Sequence, residues 1–291
     1  MPDERPAALE LLGWFDHQGR SQLPWRHTRD PWSVLVAEVM LQQTQVARVI
    51  PAYHAFLTRF PTPAACAAAP AAAVIEAWHG LGYNRRALNL WRASGVSVER
   101  FEGEVPLELG DLLSLPGVGP YTARAVLAFA AELDVGVLDT NVARVLARTE
   151  GRCLGRAEAQ RLADGAVPKG HGWAWNQAMI DVGATVCSAK GPACERCPLR
   201  LNCRWHGQGH PHPDPAIGSA GVSGGQSTFA GSDRQGRGRL VGALRQGPVA
   251  NVALAAVMGW PNDLCRAERV AATVVADGLA QLTEGRYRLP S

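Results

Sequence analysis

The sequence predicts an all-α protein, and three observations carry that prediction. Up to about residue 207, apolar residues recur at helical spacing in segment after segment, with Gly, Pro, Ser or Asp punctuating the gaps. That range shows no convincing strand alternation and no internal repeat. The 291 residues, 47% of them hydrophobic, suffice for a buried core in one large or two modest domains.

Taken in order, Leu9, Leu12, Trp14 and Phe15 predict a helix over residues 6 to 19, which Leu23-Pro24-Trp25-Arg26 breaks. Asp30-Pro31 reads as a helix start, an N-cap followed by proline at the first helical position. That helix is expected to run through Trp32, Leu35, Val36, Val39 and Met40 toward Ile50, with Pro51 at its end. Further helices are predicted over 52 to 59, 64 to 79 and 85 to 94, with Gly80, Gly82 and Tyr83 marking the turn before the last. Residues 106 to 115 and 122 to 133 read as the arms of a helical hairpin, followed by helices over 141 to 150, 157 to 166 and 173 to 186. Residues 207 to 238, rich in Gly, Pro and Ser, read as a flexible linker, and His206, His210 and His212 as parts of it rather than a second metal site. Residues 239 to 291 are expected to form a small helical or winged-helix-like unit, with a final strand around Tyr287.

The net charge of +3 permits nucleic-acid binding only through a local basic footprint. The first twenty residues hold no apolar run of signal-peptide or membrane length, so a cytoplasmic location and no membrane partner are expected. Of seven cysteines, four fall in Cys187-x6-Cys194-x2-Cys197-x5-Cys203. A disulfide framework would not crowd four thiols into one loop and leave an odd total, so the pattern reads as a metal site in a reducing compartment. Four soft ligands at this spacing suit either tetrahedral zinc or a [4Fe-4S] cluster. Lys190, Arg196, Arg200 and Arg204 against the acid Glu195 make the loop a basic protrusion suited to phosphates.

The turn of the hairpin, Leu115-Pro116-Gly117-Val118-Gly119-Pro120-Tyr121, carries two glycines expected to supply backbone conformations that other residues resist. The N–H groups opening the next helix would be left unpaired there, a seat for a phosphate. Glu38, in Leu35-Val36-Ala37-Glu38-Val39-Met40-Leu41, is bordered by apolar residues and shares a helix face with Leu41, Gln42 and Gln45. Such a carboxyl is expected to have a raised pKa and to serve as a general acid; the plainer alternative is a solvated helix position. Asp139, by itself, reads as a helix N-cap.

The hairpin, Asp139 and the cysteine spacing together resemble the helix-hairpin-helix DNA glycosylases of the endonuclease III superfamily. Within it, Glu38-Val39-Met40-Leu41-Gln42-Gln43-Thr44-Gln45-Val46 and Gly80-Leu81-Gly82-Tyr83 resemble the adenine DNA glycosylase (MutY) family, over roughly residues 8 to 206. The resemblance implies a two-lobed fold, with residues 1 to 25 and 136 to 206 forming the cluster lobe and 26 to 135 the helical lobe that holds the hairpin. It also implies a [4Fe-4S] cluster on Cys187, Cys194, Cys197 and Cys203. Glu38 would protonate adenine at N7, Asp139 would stabilise the cationic sugar, and Asn141 would orient Asp139. Tyr121 stands where endonuclease III carries a lysine, so strand nicking through a Schiff base is not expected. Gln42, Gln43 and Tyr83 would fill the gap left by a flipped base, Gly117, Val118 and Gly119 would hold phosphate, and Trp25, Arg26 and Gln177 would line the adenine pocket.

The expected partner is double-stranded DNA with an A:8-oxoguanine or A:G mispair, bound by a monomer at the nucleoid. The 84 residues after position 207 have neither the length nor the strand pattern of the Nudix-like domain that many adenine glycosylases use to read 8-oxoguanine. Arg234, Arg237, Arg239 and Arg245 give this tail a basic start and a possible supplementary DNA contact. Two rival readings are a thymine or uracil mismatch glycosylase of the same superfamily and a non-catalytic DNA-binding module.

Overall fold

The computed structural model describes residues 6–220 and 228–290. The chain divides into two compact units, one of Met1–Asp30, Leu107–Leu109 and Gly119–Gly225, the other of Pro31–Pro106, Gly110–Val118 and Gln226–Ser291. Through residue 220 every regular element described is helical, as predicted. No helix among the described residues is long and apolar enough to cross a membrane.

Helix α1 (Pro6–Gln18) precedes a short 3-10 turn, Pro24–Arg26. Helix α2 (Pro31–Leu41) buries Trp32 and every residue from Val34 to Met40, so it is a core helix rather than an amphipathic one. It does not run on toward Ile50 as expected. Gln43 adopts φ 55, which a right-handed helix cannot hold, and α3 (Val46–Arg59) starts anew with Pro51 inside it. The helix expected over 64 to 79 is likewise two: α4 (Pro63–Ala67), capped by the Thr62 hydroxyl, and α5 (Ala71–Ala77), separated at Pro70. Helix α6 (Arg85–Arg100) runs longer than expected because Gly95 does not stop it.

After α7 (Leu109–Ser114) come α8 (Pro120–Phe129), α9 (Thr140–Glu150), α10 (Arg156–Ala166), α11 (Gly172–Thr185) and the single turn α12 (Arg204–Gly207). In the first unit α1, α9, α10 and α11 share a core through Leu11, Val145, Ala159 and Val182. Below α1 the buried Asp181 accepts both Arg26 terminal nitrogens at 2.8 Å and the Arg20 N–H at 2.9 Å. Burial alone would raise the Asp181 pKa, but the Arg26 hydrogen bonds and charge, with help from Arg20, hold it below the usual carboxylate value.

The stretch expected to be linker is ordered over much of its length. Asp214 pairs with the buried Arg148 at 2.7 Å, Ala216 and Ser219 are buried, and the Ala220 N–H donates to Leu154 at 2.9 Å. His210, though exposed, makes edge-on ring contacts with Trp205 and His206. An acid that meets a buried guanidinium is reason enough for the chain to lie down there. Residues 221–227 of the expected linker lie outside the described residues.

Helix α13 (Asp233–Leu244) begins inside the expected linker, its N-terminus capped by Ser232. The tail continues through β1 (Val249–Ala250), α14 (Leu254–Met258), α15 (Leu264–Ala276), β2 (Gln281–Thr283) and β3 (Arg286–Arg288). The strands form an antiparallel sheet in the order β1-β3-β2, with the buried Tyr287 opposite both Val249 and Leu282. A small helical or winged-helix-like unit with a strand at Tyr287 was expected; the two partner strands, two and three residues long, show no readable period. The tail's core is continuous with Ala71, Ile75 and Leu88 of α5 and α6.

Candidate active site and DNA-binding loops

In the second unit Glu38 is 5% exposed, within the apolar run of α2. The chain leaves this core in two loops, one after α2 through Gln42 and Gln43, the other between α5 and α6 through Gly80 to Asn84. Both pass through left-handed backbone at residues with side chains, φ 55 at Gln43 and φ 47 at Tyr83. Each such residue costs about 1–3 kcal/mol and persists only where its neighbours fix it.

Arg86, which the sequence reading passed over, fixes both loops. Its Nη1 donates to the carbonyls of Val39, Met40 and Gln42 at 2.8, 2.9 and 2.6 Å. Its Nη2 donates to Thr44 Oγ1 and to the Leu81 and Gly82 carbonyls at 2.9, 3.1 and 3.0 Å. One guanidinium thus satisfies the orphan carbonyls at the end of α2 and ties them to the second loop. Burial lowers its pKa to about 10, which leaves it cationic at neutral pH. The available signal was its place on the apolar face of α6, in register with the buried Leu90, Ala93 and Ser97. Tyr83 remains 44% exposed in its loop.

The hairpin turn uses its two glycines differently. Gly117 adopts φ +81, and a Cβ there would stand 2.7 Å from Asn89 Cβ, so both conformation and close approach require glycine. Gly119, expected to need a special conformation too, is ordinary extended backbone at φ −99 and ψ 177, and a Cβ there would meet nothing within 4 Å. The Val118 side chain is buried, which leaves its backbone for any ligand. Pro120 opens α8, and Tyr121 follows it, half-buried.

In the first unit Asp139 is the N-cap of α9, its Oδ1 accepting the Val142 N–H at 2.7 Å. Its Oδ2 accepts from Asn141 Nδ2 at 2.8 Å. Asn141 Oδ1 in turn accepts from Arg144 Nη2 at 2.8 Å, and Arg144 Nε donates to the Cys187 carbonyl at 2.7 Å. A continuous hydrogen-bonded path therefore joins Asp139 to the first cysteine of the loop. Gly183 of α11 packs so closely that a Cβ would lie 2.5 Å from Asn141 Cβ. Burial raises the Asp139 pKa, against the lowering effect of its Val142 and Asn141 hydrogen bonds.

Cys187, Cys194, Cys197 and Cys203 line one cavity together with Arg148, Trp205 and His206. Arg148 Nη1 donates to Cys187 Sγ at 3.3 Å and to the Ser188 carbonyl at 2.8 Å, and its guanidinium stacks on Trp205. Burial pushes the Cys197 thiol up to about 11, with the neighbouring sulfurs adding to the shift. Four thiolates can share such a space only around a cationic group, so the donor set fits a metal centre. Among the described residues no three His, Cys, Asp or Glu side chains converge as they would on one ion. Two of the loop's basic residues are turned to acids, Arg200 to Glu195 and Arg204 to Glu150.

Trp25, Arg26 and Gln177 are buried in this same unit, and the Arg26 fork is engaged by Asp181. The structure thus gathers Glu38, Gln42, Gln43, Tyr83, Gly117 and Val118 in one unit, and Gly119, Tyr121, Asp139, Asn141, Trp25, Arg26, Gln177 and the four cysteines in the other.

Residues 36–158 match the model of the HhH-GPD superfamily of base excision DNA repair proteins. An adenine DNA glycosylase of Mycolicibacterium smegmatis is 39% identical over 289 residues, spanning 97% of this chain and 95% of its own. The chain belongs to the adenine DNA glycosylase family of that superfamily. It is a DNA glycosylase, hydrolysing N-glycosidic bonds. Two solved structures, each 28% identical, share its fold: a thermostable thymine-DNA glycosylase, with a TM-score of 0.65 over 69% of this chain and 95% of the other, and a trapped endonuclease III–DNA covalent intermediate, with a TM-score of 0.60 over 71% and 97%. The superfamily match takes in Glu38, both loops, the hairpin and Asp139, while the whole-length alignment with the adenine DNA glycosylase extends over the cysteine loop and the tail.

The two glycines separate folding from ligand contact. Gly117→Ala is expected to lose about 1–3 kcal/mol of stability in urea denaturation from strain at its φ. Gly119→Ala should unfold at the wild-type midpoint and, on the expectation that this turn seats a phosphate, bind duplex DNA more weakly. Equal midpoints for both variants, or wild-type DNA affinity in Gly119→Ala, would contradict this assignment.

Proposed function

We propose that this enzyme acts as a monomer at the cytoplasmic nucleoid and removes adenine mispaired with 8-oxoguanine or guanine in double-stranded DNA, without nicking the strand. The observation that carries the reading is Glu38, a carboxyl enclosed by α2's apolar residues in a chain aligned almost end to end with an adenine DNA glycosylase. As the general acid, Glu38 donates a proton to adenine N7 as the C1′–N9 bond breaks and its electron pair leaves with the base. The sugar becomes cationic, the Asp139 carboxylate stabilises it, and water adds at C1′ and gives up a proton. Asn141 keeps one Asp139 oxygen aligned. Tyr121 presents a phenol and no amine, so no Schiff base with the opened sugar is available.

Gln42, Gln43 and Tyr83 suit the duplex, with Gln43 and Tyr83 held out on strained backbone that Arg86 secures. A flipped adenine leaves a gap, and a polar amide and an aromatic ring can fill it. Gly117, Val118 and Gly119 offer backbone N–H groups to a phosphate at the start of α8. Trp25 and Gln177 would line the base pocket, with Arg26 bracing it through Asp181. Cys187, Cys194, Cys197 and Cys203 would hold a [4Fe-4S] cluster, which when bound gives the loop a rigid, metal-braced frame. The spacing suits zinc as well, and the choice of a polynuclear cluster rests on the family likeness.

Single-turnover excision on A:8-oxoguanine, A:G, T:G and U:G duplexes tests the reading. The adenine mispairs should be cleaved at least tenfold faster than the others, corresponding to about 1.4 kcal/mol of discrimination. Glu38→Gln should lose about 10²–10⁴-fold in rate. A preference for T:G would favour a thymine mismatch glycosylase instead, and near-normal excision by Glu38→Gln would remove Glu38 from the mechanism.

The pH profile tests Asp139 separately. The Asn141 hydrogen bond favours the charged carboxylate, so Asn141→Ala raises a pKa that burial has already raised. The acid limb of the single-turnover rate should therefore move to higher pH while the basic limb stays in place. An unmoved acid limb would assign it to another group.

The cofactor reading predicts broad visible absorbance from iron–sulfur charge transfer in protein purified without oxygen, with about four irons per chain. A colourless protein carrying one zinc would refute it.

A further inference from the structure

The tail meets the Tyr83 loop at defined polar contacts. Arg245, at the end of α13, donates through Nε and Nη2 to the Ile75 carbonyl at 3.2 and 3.0 Å, and its Nη2 also donates to Asn84 Oδ1 at 2.8 Å. Ile75 lies in the last turn of α5, and Asn84 is the N-cap of α6. The same guanidinium therefore grips both ends of the loop that carries Tyr83. A second contact lies alongside: Asp277, after α15, pairs with Arg85 at 3.4 Å and is itself held by Arg237. Leu88 and Ile75 are buried in the tail's own core, and Gly278 packs against Arg92.

We infer that the tail is the outer wall of the Tyr83 loop, and that Arg245 is a positioning residue for Tyr83 in mispair recognition. The inner wall is Arg86, which holds the loop's Leu81 and Gly82 carbonyls. An exposed left-handed residue in a loop relaxes unless the loop's flanks are fixed, and the α5 and α6 ends are the flanks, with Tyr83 next to the second. Two of the basic residues at the start of the tail, Arg237 and Arg245, are thus engaged inward. Arg245 is half-buried on two acceptors and Arg237 on Thr273 and Asp277, so they serve the DNA through the loop rather than by touching phosphate.

This inference rests on the proposed role of Tyr83 at the duplex, and binding measurements on the full-length enzyme separate the two. Affinity is measured for an A:8-oxoguanine duplex and for a fully matched duplex, alongside the single-turnover rate at saturating enzyme. Arg245→Gln and Asn84→Ala should each weaken mispair binding roughly tenfold, the scale of a lost hydrogen bond to a charged group, while matched-duplex affinity and the saturated rate change less than twofold. Arg245→Gln combined with Tyr83→Ala should bind no more weakly than Tyr83→Ala alone, because the two act through one element. Asn84→Ala leaves the tail's core untouched and so serves where Arg245→Gln fails to fold. If Tyr83→Ala keeps full mispair discrimination, the role of Tyr83 is wrong. If Tyr83→Ala loses discrimination while Asn84→Ala and a folded Arg245→Gln keep it, or if Arg245→Gln weakens both duplexes equally or adds its loss to that of Tyr83→Ala, the tail's role is overturned.

Discussion

The second unit depends on one buried cation. Arg86 meets six oxygen acceptors drawn from the end of α2 and from two loops, and no smaller or neutral side chain could satisfy them all. An isolated buried charge is costly, so the carbonyls around it are held as firmly as it holds them. That mutual requirement lets α2 stop at Leu41, lets Gln43 and Tyr83 sit at positive φ, and keeps Glu38 enclosed one turn before the break. Loop geometry and the burial of Glu38 are in this sense a single structural fact.

The first unit solves a similar problem with two arginines one turn apart on α9. Arg144 completes the path from Asp139 through Asn141 to Cys187, and Arg148 braces the cysteine loop through Cys187, Ser188 and Asp214. The same helix presents Asp139 at its N-terminus, so the orientation of a carboxylate and the seat of the cysteine loop are set by one rigid element. Gly183 lets α11 approach closely enough to lock Asn141 from behind. A change at the cysteine loop has a hydrogen-bonded route to Asp139 that needs no movement of the helix axis.

Much of this was legible from residue order, and what was not has specific causes. Helix periodicity, the Asp139 cap and the cysteine spacing act over a few residues, so local sequence reports them. Gln43 was unreadable because its positive φ is imposed by Arg86, which lies more than forty positions along the chain. Gly119 was misread because a Gly-x-Gly spacing does not say which of its two glycines takes the left-handed conformation. Asp214 looked like one more polar residue in a Pro- and Gly-rich stretch, since composition does not reveal that a buried guanidinium waits for it. The tail strands were lost because their partners, two and three residues long, show no period.

Charge distribution follows from the same arrangement and bears on how DNA is held. A net charge of +3 is small for a nucleic-acid enzyme, and many of the arginines are engaged within the protein: Arg26 with Asp181, Arg144 and Arg148 with the cysteine loop, Arg237 with Asp277, and Arg245 with α5 and α6. Cations committed in this way release few counterions when DNA binds, and their contribution to a salt-dependent affinity is small. On the proposed reading, binding then falls to oriented backbone N–H groups at the hairpin and to side chains that stack or wedge, interactions less sensitive to salt and more sensitive to backbone placement. On that reading the buried arginines govern DNA recognition by fixing where the loops stand, and the positions of Gln43, Tyr83 and Gly119 matter more than any count of basic residues.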